Sequence, residues 1–325
     1  MRRNDQITFL QFIGPIFVIL GHSLNGFTNI YGKSIWGIFS KDWIYIFHMS
    51  LFFFIAGFLF VKSMGKYSYF ELIKKKFQRL LIPYLVFNII FLIPKIIFGN
   101  IVGDPVTLSL KSIVVMFLTP RLNVWGHTWF LFCLFLMFCL YPLWKSIFLS
   151  KLKMIRIVFT VILVISSFFP INTYFLTISD LMKNLIFFWL GMNVYKNKIS
   201  VNNYLEANGI KMLVIALTLS IIYIFVLPVQ SVKVITAIFI ILVLYALPIF
   251  VNIENKWVKY ISKESFYIYL LHWPIMLVVR EVTKMMLIDS RIIIILMIFS
   301  GLMGPILLIY FYSNLKKMRI QFFKK

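Results

Sequence analysis

Four histidines are the only side chains in this sequence whose ordinary titration range lies near neutral pH. They are His22, His48, His127 and His272, and each lies in or at the edge of an apolar run. A neutral imidazole can take a proton from a hydroxyl, so these residues suit acid–base work on an alcohol. The ten acidic residues are Asp5, Asp42, Glu71, Asp104, Asp180, Glu206, Glu254, Glu264, Glu281 and Asp289. All fall in loops or at the ends of apolar runs. That distribution argues against a pump built on carboxylates inside a membrane and against a glycosidase carboxylate pair.

A second group is the basic run Lys74, Lys75, Lys76 and Arg79, just ahead of a third apolar segment. On charge alone it is a topological signal, with anionic lipid as a further partner. The same residue types bind phosphate well, so an acyl donor carrying phosphates would fit there. Gln11 precedes His22 by eleven residues, close to three helical turns, which places both on one face about 16–17 Å apart along the axis. Taken singly, Gln11 reads as a helix-bridging amide.

Long apolar helices must position these groups. Hydrophobic residues are 62% of the 325 and charged residues 13%, about half the charged share of a soluble domain. The surplus apolar surface has to face lipid. The pattern predicts an all-α integral membrane protein, a bundle of about ten transmembrane helices, and a single domain over residues 1–325. The spans are expected at 7–25, 43–62, 80–99, 127–149, 155–171, 175–195, 210–228, 232–251, 263–282 and 291–313, each near the length a bilayer requires. The first run lacks a small-residue cleavage site and reads as an anchor.

The net charge is +23. The bases lie in short loops between apolar runs, so topology explains them better than nucleic acid does. With the N-terminus in the cytoplasm, the inner segments hold Arg2, Arg3, Lys62, Lys66, Lys74, Lys75, Lys76, Arg79, Lys145, Lys151, Lys153 and Arg156. They also hold Lys196, Lys198, Lys211, Lys256, Lys259, Lys263, Lys316, Lys317, Arg319, Lys324 and Lys325, which makes 23 of the 33 bases. Both termini are therefore expected to be cytoplasmic in a plasma-membrane protein. All four histidines then fall in the outer half or at the midplane, which points to a shared site. Cys133 and Cys139 sit six apart in one apolar run, on different helix faces, and read as buried apolar residues with no disulfide or metal role.

Five stretches together resemble the membrane acyltransferase-3 family, integral enzymes that acetylate bacterial surface polysaccharides. They are FLQFIGPIFVILGHS (9–23), FHMSLFFFIAGFL (47–59), KKFQRLLIPY (75–84), GHTWFL (126–131) and SFYIYLLHWP (265–274), in the family's order. The resemblance implies that His22 is the essential first-span histidine. It also implies that Lys76 and Arg79 are the family's basic pair at the cytoplasmic face, and that His48 and His272 are its recurrent histidines. Two positions depart from the pattern. Gln11 stands where members have Arg or Lys, and Thr8 where they have Asp. A stand-alone member without the esterase-like domain fused to some relatives is expected.

The expected activity is O-acyl transfer, acetyl from acetyl-CoA to a hydroxyl of a cell-surface or lipid-linked carbohydrate. Lys75, Lys76 and Arg79 would bind the donor's phosphates, and Gln11 would line the path of its pantetheine arm. His22 would act as the base, with His48, His127 and His272 orienting it or the acceptor, and Trp129 stacking on a sugar. A glycan flippase or transporter is the alternative, disfavoured by the lack of internal repeats. A polysaccharide polymerase using no CoA is a second one.

Overall fold

Backbone groups in hydrocarbon have no water to bond, so an apolar run of about twenty residues closes its hydrogen bonds within itself as a helix. The computed structural model describes residues 5–25, 35–102, 109, 114–115, 117–123, 125–253 and 255–322, and among these all ten expected segments are helical, with no strand. Arg2, Arg3, Asp104, Glu254, Lys324 and Lys325 lie outside the described residues, as do the side chains of Lys316, Lys317 and Arg319.

The helices are α1 (Asp5–Asn25), α2 (Ile35–Met64), α3 (Tyr69–Lys76), α4 (Ile82–Val102), α5 (Trp129–Cys139), α6 (Tyr141–Leu149), α7 (Lys153–Phe168), α8 (Ile178–Lys196), α9 (Lys198–Ile221), α10 (Gln230–Phe250), α11 (Lys256–Met285) and α12 (Ser290–Phe322). A capping box starts α3: the Ser68 hydroxyl accepts from the Glu71 backbone N–H and the Glu71 carboxylate accepts from Ser68. A wider π-helical turn, Phe77–Leu81, then joins α3 to α4. The expected span 127–149 is broken into α5 and α6, which meet at 54°. Pro142, in the first turn of α6, has no N–H to continue the ladder of α5.

Among the described residues, seven stretches are long and apolar enough to cross a membrane, and eight if the bent pair α5–α6 counts as one span. The expected number of about ten is therefore approximate, and two segments account for the difference. Helix α7 has 16 residues, about 24 Å of rise against a hydrocarbon core of about 30 Å. Helix α11 is long enough at 30 residues, but its central apolar stretch is bounded by Lys263 and Glu264 on one side and Arg280 and Glu281 on the other and contains His272 and Pro274, which leaves it less apolar than the other spans. Elsewhere the outward faces are apolar stripes at four-residue spacing. Ile89, Ile93 and Ile97 on α4 are each more than half exposed, as a lipid-facing helix requires.

Contacts divide the chain into two compact units. One comprises Met1–Phe52 and Ile199–Lys325, the other Phe53–Lys198. In the first, α1 packs on α10, α11 and α12, and α11 packs along α12. Its core holds Ile19, Ile268, Met276, Ile293, Met297 and Ile306, and Gly301 lets α12 approach Met276 and Ile19 closely. In the second unit α2 crosses α8 at paired glycines. A Cβ on Gly57 would overlap the Phe188 carbonyl oxygen, and one on Gly191 the Phe54 carbonyl oxygen. Small residues allow helix backbones to meet this way.

Candidate active site

His22 is in the last turn of α1, the end of a helix that favours a positive charge. Its imidazole stacks on that of His272, with ring centroids 5.4 Å apart and planes at 27°. It also lies 4.9 Å from the Trp273 ring. His272 is brought there by the core of this unit. Ile268 and Met276, one turn before and one turn after it on α11, are fully buried against the core that includes Ile19 of α1.

The tautomer of His272 follows from its partners. Nδ1 lies 2.6 Å from the Tyr269 carbonyl oxygen and 3.3 Å from that of Ile268. A carbonyl can only accept, so Nδ1 carries the hydrogen and the Nε2 lone pair is left over. Nε2 is buried without a hydrogen-bond partner. A buried acceptor left unsatisfied by the protein is uncommon.

His48 belongs to the same unit. Its Nδ1–H donates to the Ile44 carbonyl at 2.9 Å, and Tyr45 meets its ring edge-on at 4.8 Å. Gly21, next to His22, makes room for these residues: a Cβ there would lie 3.2 Å from Ile44 and 3.4 Å from Tyr45. Gln11 is half-buried on α1, three turns before His22. Pro15 has no N–H to give to the Gln11 carbonyl, so this turn of α1 carries a main-chain acceptor beside a side-chain amide.

The remaining predicted residues lie in the second unit. His127 is in the short turn Gly126–Thr128, 5.9 Å from the Trp125 ring. A buried polar network holds that turn. Asn88 donates to the Tyr84 carbonyl at 2.7 Å and to Thr128 at 2.9 Å, accepts from the Trp125 N–H at 3.0 Å, and Asn123 donates to the Tyr84 hydroxyl at 2.9 Å. Trp129 is buried, and one face of its ring is covered by the Arg121 guanidinium at 4.1 Å. Arg121 forms a two-pronged ion pair with Asp180 in the first turn of α8. A sugar stacking on Trp129 would therefore meet its other face or displace Arg121.

The basic run occupies the last turn of α3 and the π-helical turn after it. Lys75 and Arg79 are exposed and Lys76 is half-buried. The Lys75 ammonium lies 3.7 Å over the Tyr67 ring, and that of Lys76 3.9 Å over Phe138. Hydrogen bonds from Lys75 and then Lys66 hold the Tyr67 hydroxyl below the usual phenol range. Exposed bases at Lys75 and Arg79 suit a phosphate chain approaching from water.

The structure thus brings His22, His48 and His272 into one unit with Gln11, and puts His127, Trp129, Lys75, Lys76 and Arg79 in the other. Sequence reasoning missed Trp273, Arg280 and the Arg121–Asp180 pair. Trp273 lies between His22 and Arg280, whose guanidinium is 5.9 Å from its ring. The seven-residue spacing from Trp273 to Arg280, two helical turns, was the available signal. Arg121 and Asp180 are 59 residues apart and carry no local pattern that joins them.

In comparison with known proteins, a family model described as an acyltransferase domain matches residues 4–312. No curated protein and no solved structure matches.

Proposed function

This chain belongs to the acyltransferase-3 family and is a membrane acyltransferase, and from that premise we propose that it transfers an acetyl group from acetyl-CoA to a hydroxyl of a cell-surface or lipid-linked carbohydrate. The observation that carries this reading is the stacked pair His22 and His272, with one buried imidazole nitrogen left without a partner. Acetyl-CoA supplies an acetyl group activated as a thioester. His22 accepts the proton of the acceptor hydroxyl as its oxygen attacks the acyl carbon, the C–S bond then breaks, and CoA leaves as a thiolate that takes that proton back from His22. His272 keeps its own hydrogen on Nδ1, held by the Tyr269 carbonyl, so it stands beside His22 as a neutral ring. Two imidazolium rings at this separation would repel, so the pair carries no more than one positive charge at a time. Trp273 borders the pair and limits the access of water to it.

Lys75, Lys76 and Arg79 would hold the donor's phosphates through charge-assisted hydrogen bonds. Gln11 offers its amide to the donor's pantetheine amides or thioester carbonyl, without the charge that a phosphate would need. His48 would orient the end of α1 through Tyr45, and His127 and Trp129, in the other unit, are candidates for contact with the carbohydrate. The deciding experiment compares the acetyl content of surface polysaccharide in cells with the gene, without it, and with the His22→Ala form. The reading expects acetyl to be lost in the last two. Equal acetyl content in all three overturns it.

A further inference from the structure

We infer that a groove on α6 and α7 is a binding site for a phospholipid with an anionic headgroup, separate from the acyl-transfer site. The groove has a volume of about 330 Å³ and is lined by Ile147, Met154, Ile155, Val158, Phe159 and Ile162, all apolar. Its floor is built rather than incidental. Phe159 meets Trp144 edge-on at 5.7 Å and Trp189 at 5.2 Å, and the Trp189 indole N–H donates to Thr160 at 2.9 Å. Its walls stay open, with Met154 67%, Val158 51% and Ile162 55% exposed. In a helix facing hydrocarbon, an open apolar trough takes an acyl chain.

Charge at one end of the groove selects the headgroup. Lys151, Lys153 and Arg156 crowd the start of α7. No acidic residue occupies its first turn, and no side chain caps it. Bases at the positive end of a helix dipole destabilise it, and an anion there relieves both the dipole and the repulsion. Lys196 joins them. Its ammonium donates to the Phe148 carbonyl at 3.3 Å, one residue from Ile147 in the groove, and it is close enough to Arg156 for the two charges to repel. Lys151, Lys153 and Arg156 thus lie in or next to the first turn of the helix that lines the trough, and Lys196 sits beside Phe148 and Arg156 at the same end, which is the complement of an anionic phosphodiester with a tail. A bare phosphate would satisfy the bases and leave the trough empty. A second copy of this chain would have to bring acidic residues to a surface of like charge.

The test is native mass spectrometry of the purified full-length protein, released from bilayer discs of phosphatidylglycerol or of phosphatidylcholine, with melting temperature as a second readout. Retention of phosphatidylglycerol over phosphatidylcholine by tenfold or more is expected. The double change Arg156→Gln, Lys196→Gln should weaken retention by about 25-fold, on the basis of about fivefold per surface base. Val158→Trp, at an exposed position, should fill the trough and abolish retention with the four bases intact. Equal retention of the two lipids, or retention unchanged in both variants, overturns the inference. So does displacement of the lipid by inorganic phosphate at equal concentration, or a dimer mass without lipid. Loss of acyl transfer is not among the readouts, so failure of this site and failure of the proposed function are read separately.

Discussion

At the scale of residues, the acyltransferase reading rests on His22, and its removal is the sharpest test. His22→Ala is expected to lower acyl transfer by about 10²–10⁴-fold, the range for loss of a general base, with unchanged membrane yield. Wild-type turnover in purified protein would remove His22 from that role. The pair Arg121–Asp180 makes a separate prediction about stability. Asp180 is buried while the Arg121 side chain is 40% exposed, so the two halves are unequal. Arg121→Gln strands a buried carboxylate and should cost about 3 kcal/mol, the low end for a broken buried pair because water still reaches the site. Asp180→Asn leaves Arg121 on Trp129 and near water and should cost less. Melting in detergent measures both, and the reverse order would refute the argument. The histidines were legible in the sequence because so few other residues of this chain can move a proton. The ion pair was not, since only the folded chain joins an exposed loop base to an acid at a span end.

At the scale of elements, the ten apolar runs were readable, because hydrocarbon leaves a long apolar segment few alternatives to a helix. The interruptions inside them were less so. Pro142 marks the α5–α6 break in hindsight, but Pro15, Pro274 and Pro305 lie inside helices that continue. The outcome depends on packing that no local pattern records. The α2–α8 crossing is similar, since Gly57 and Gly191 are unremarkable in sequence and reciprocal in space. Alanine at either would force two backbones apart and should cost about 3 kcal/mol or more, the upper end for overpacking, because a carbonyl cannot step aside as a side chain can. Gly65→Ala, with nothing within 4 Å of its Cβ, is the control and should be neutral. Equal melting of all three proteins would disprove the close crossing. The basic turn is tested by changing Lys76 and Arg79 together to Gln. Each lost phosphate contact should raise the donor KM by about tenfold, and an unchanged KM would return these bases to a topological role.

At the scale of the whole molecule, span count and sidedness are one question. With the N-terminus on the cytoplasmic side, Lys196, Lys198, Lys256, Lys259 and Lys263 are cytoplasmic if α7 and α11 both cross the membrane. If neither crosses, the termini stay on the same side as before, but these five bases move outside. The bias of bases toward the cytoplasm favours the first arrangement. Single cysteines placed at Lys198 and Lys259, in a chain with Cys133 and Cys139 replaced, should react with an impermeant maleimide only after the membrane is opened. Labelling of intact cells at both positions would overturn this arrangement. The grouping of the chain into two units was not legible in its linear order. The division passes through α2, between Phe52 and Phe53, inside an apolar run with no change of composition. Five residues expected at one site with His22, namely Lys75, Lys76, Arg79, His127 and Trp129, fall on the other side of it in sequence.

The π-helical turn Phe77–Leu81 has a consequence for descent with modification. A turn of this kind holds one residue more than a regular helix needs, and each residue gained or lost rotates everything before it by about 100°. Helix α4 is keyed by Tyr84 and Asn88 to the network around Thr128 and keeps its orientation whatever happens upstream. Loss or gain of a single codon in this turn would therefore swing Lys74, Lys75 and Lys76 to a new bearing without repacking the span below. Chain length in this turn, and not side-chain identity alone, therefore sets the direction in which these bases face.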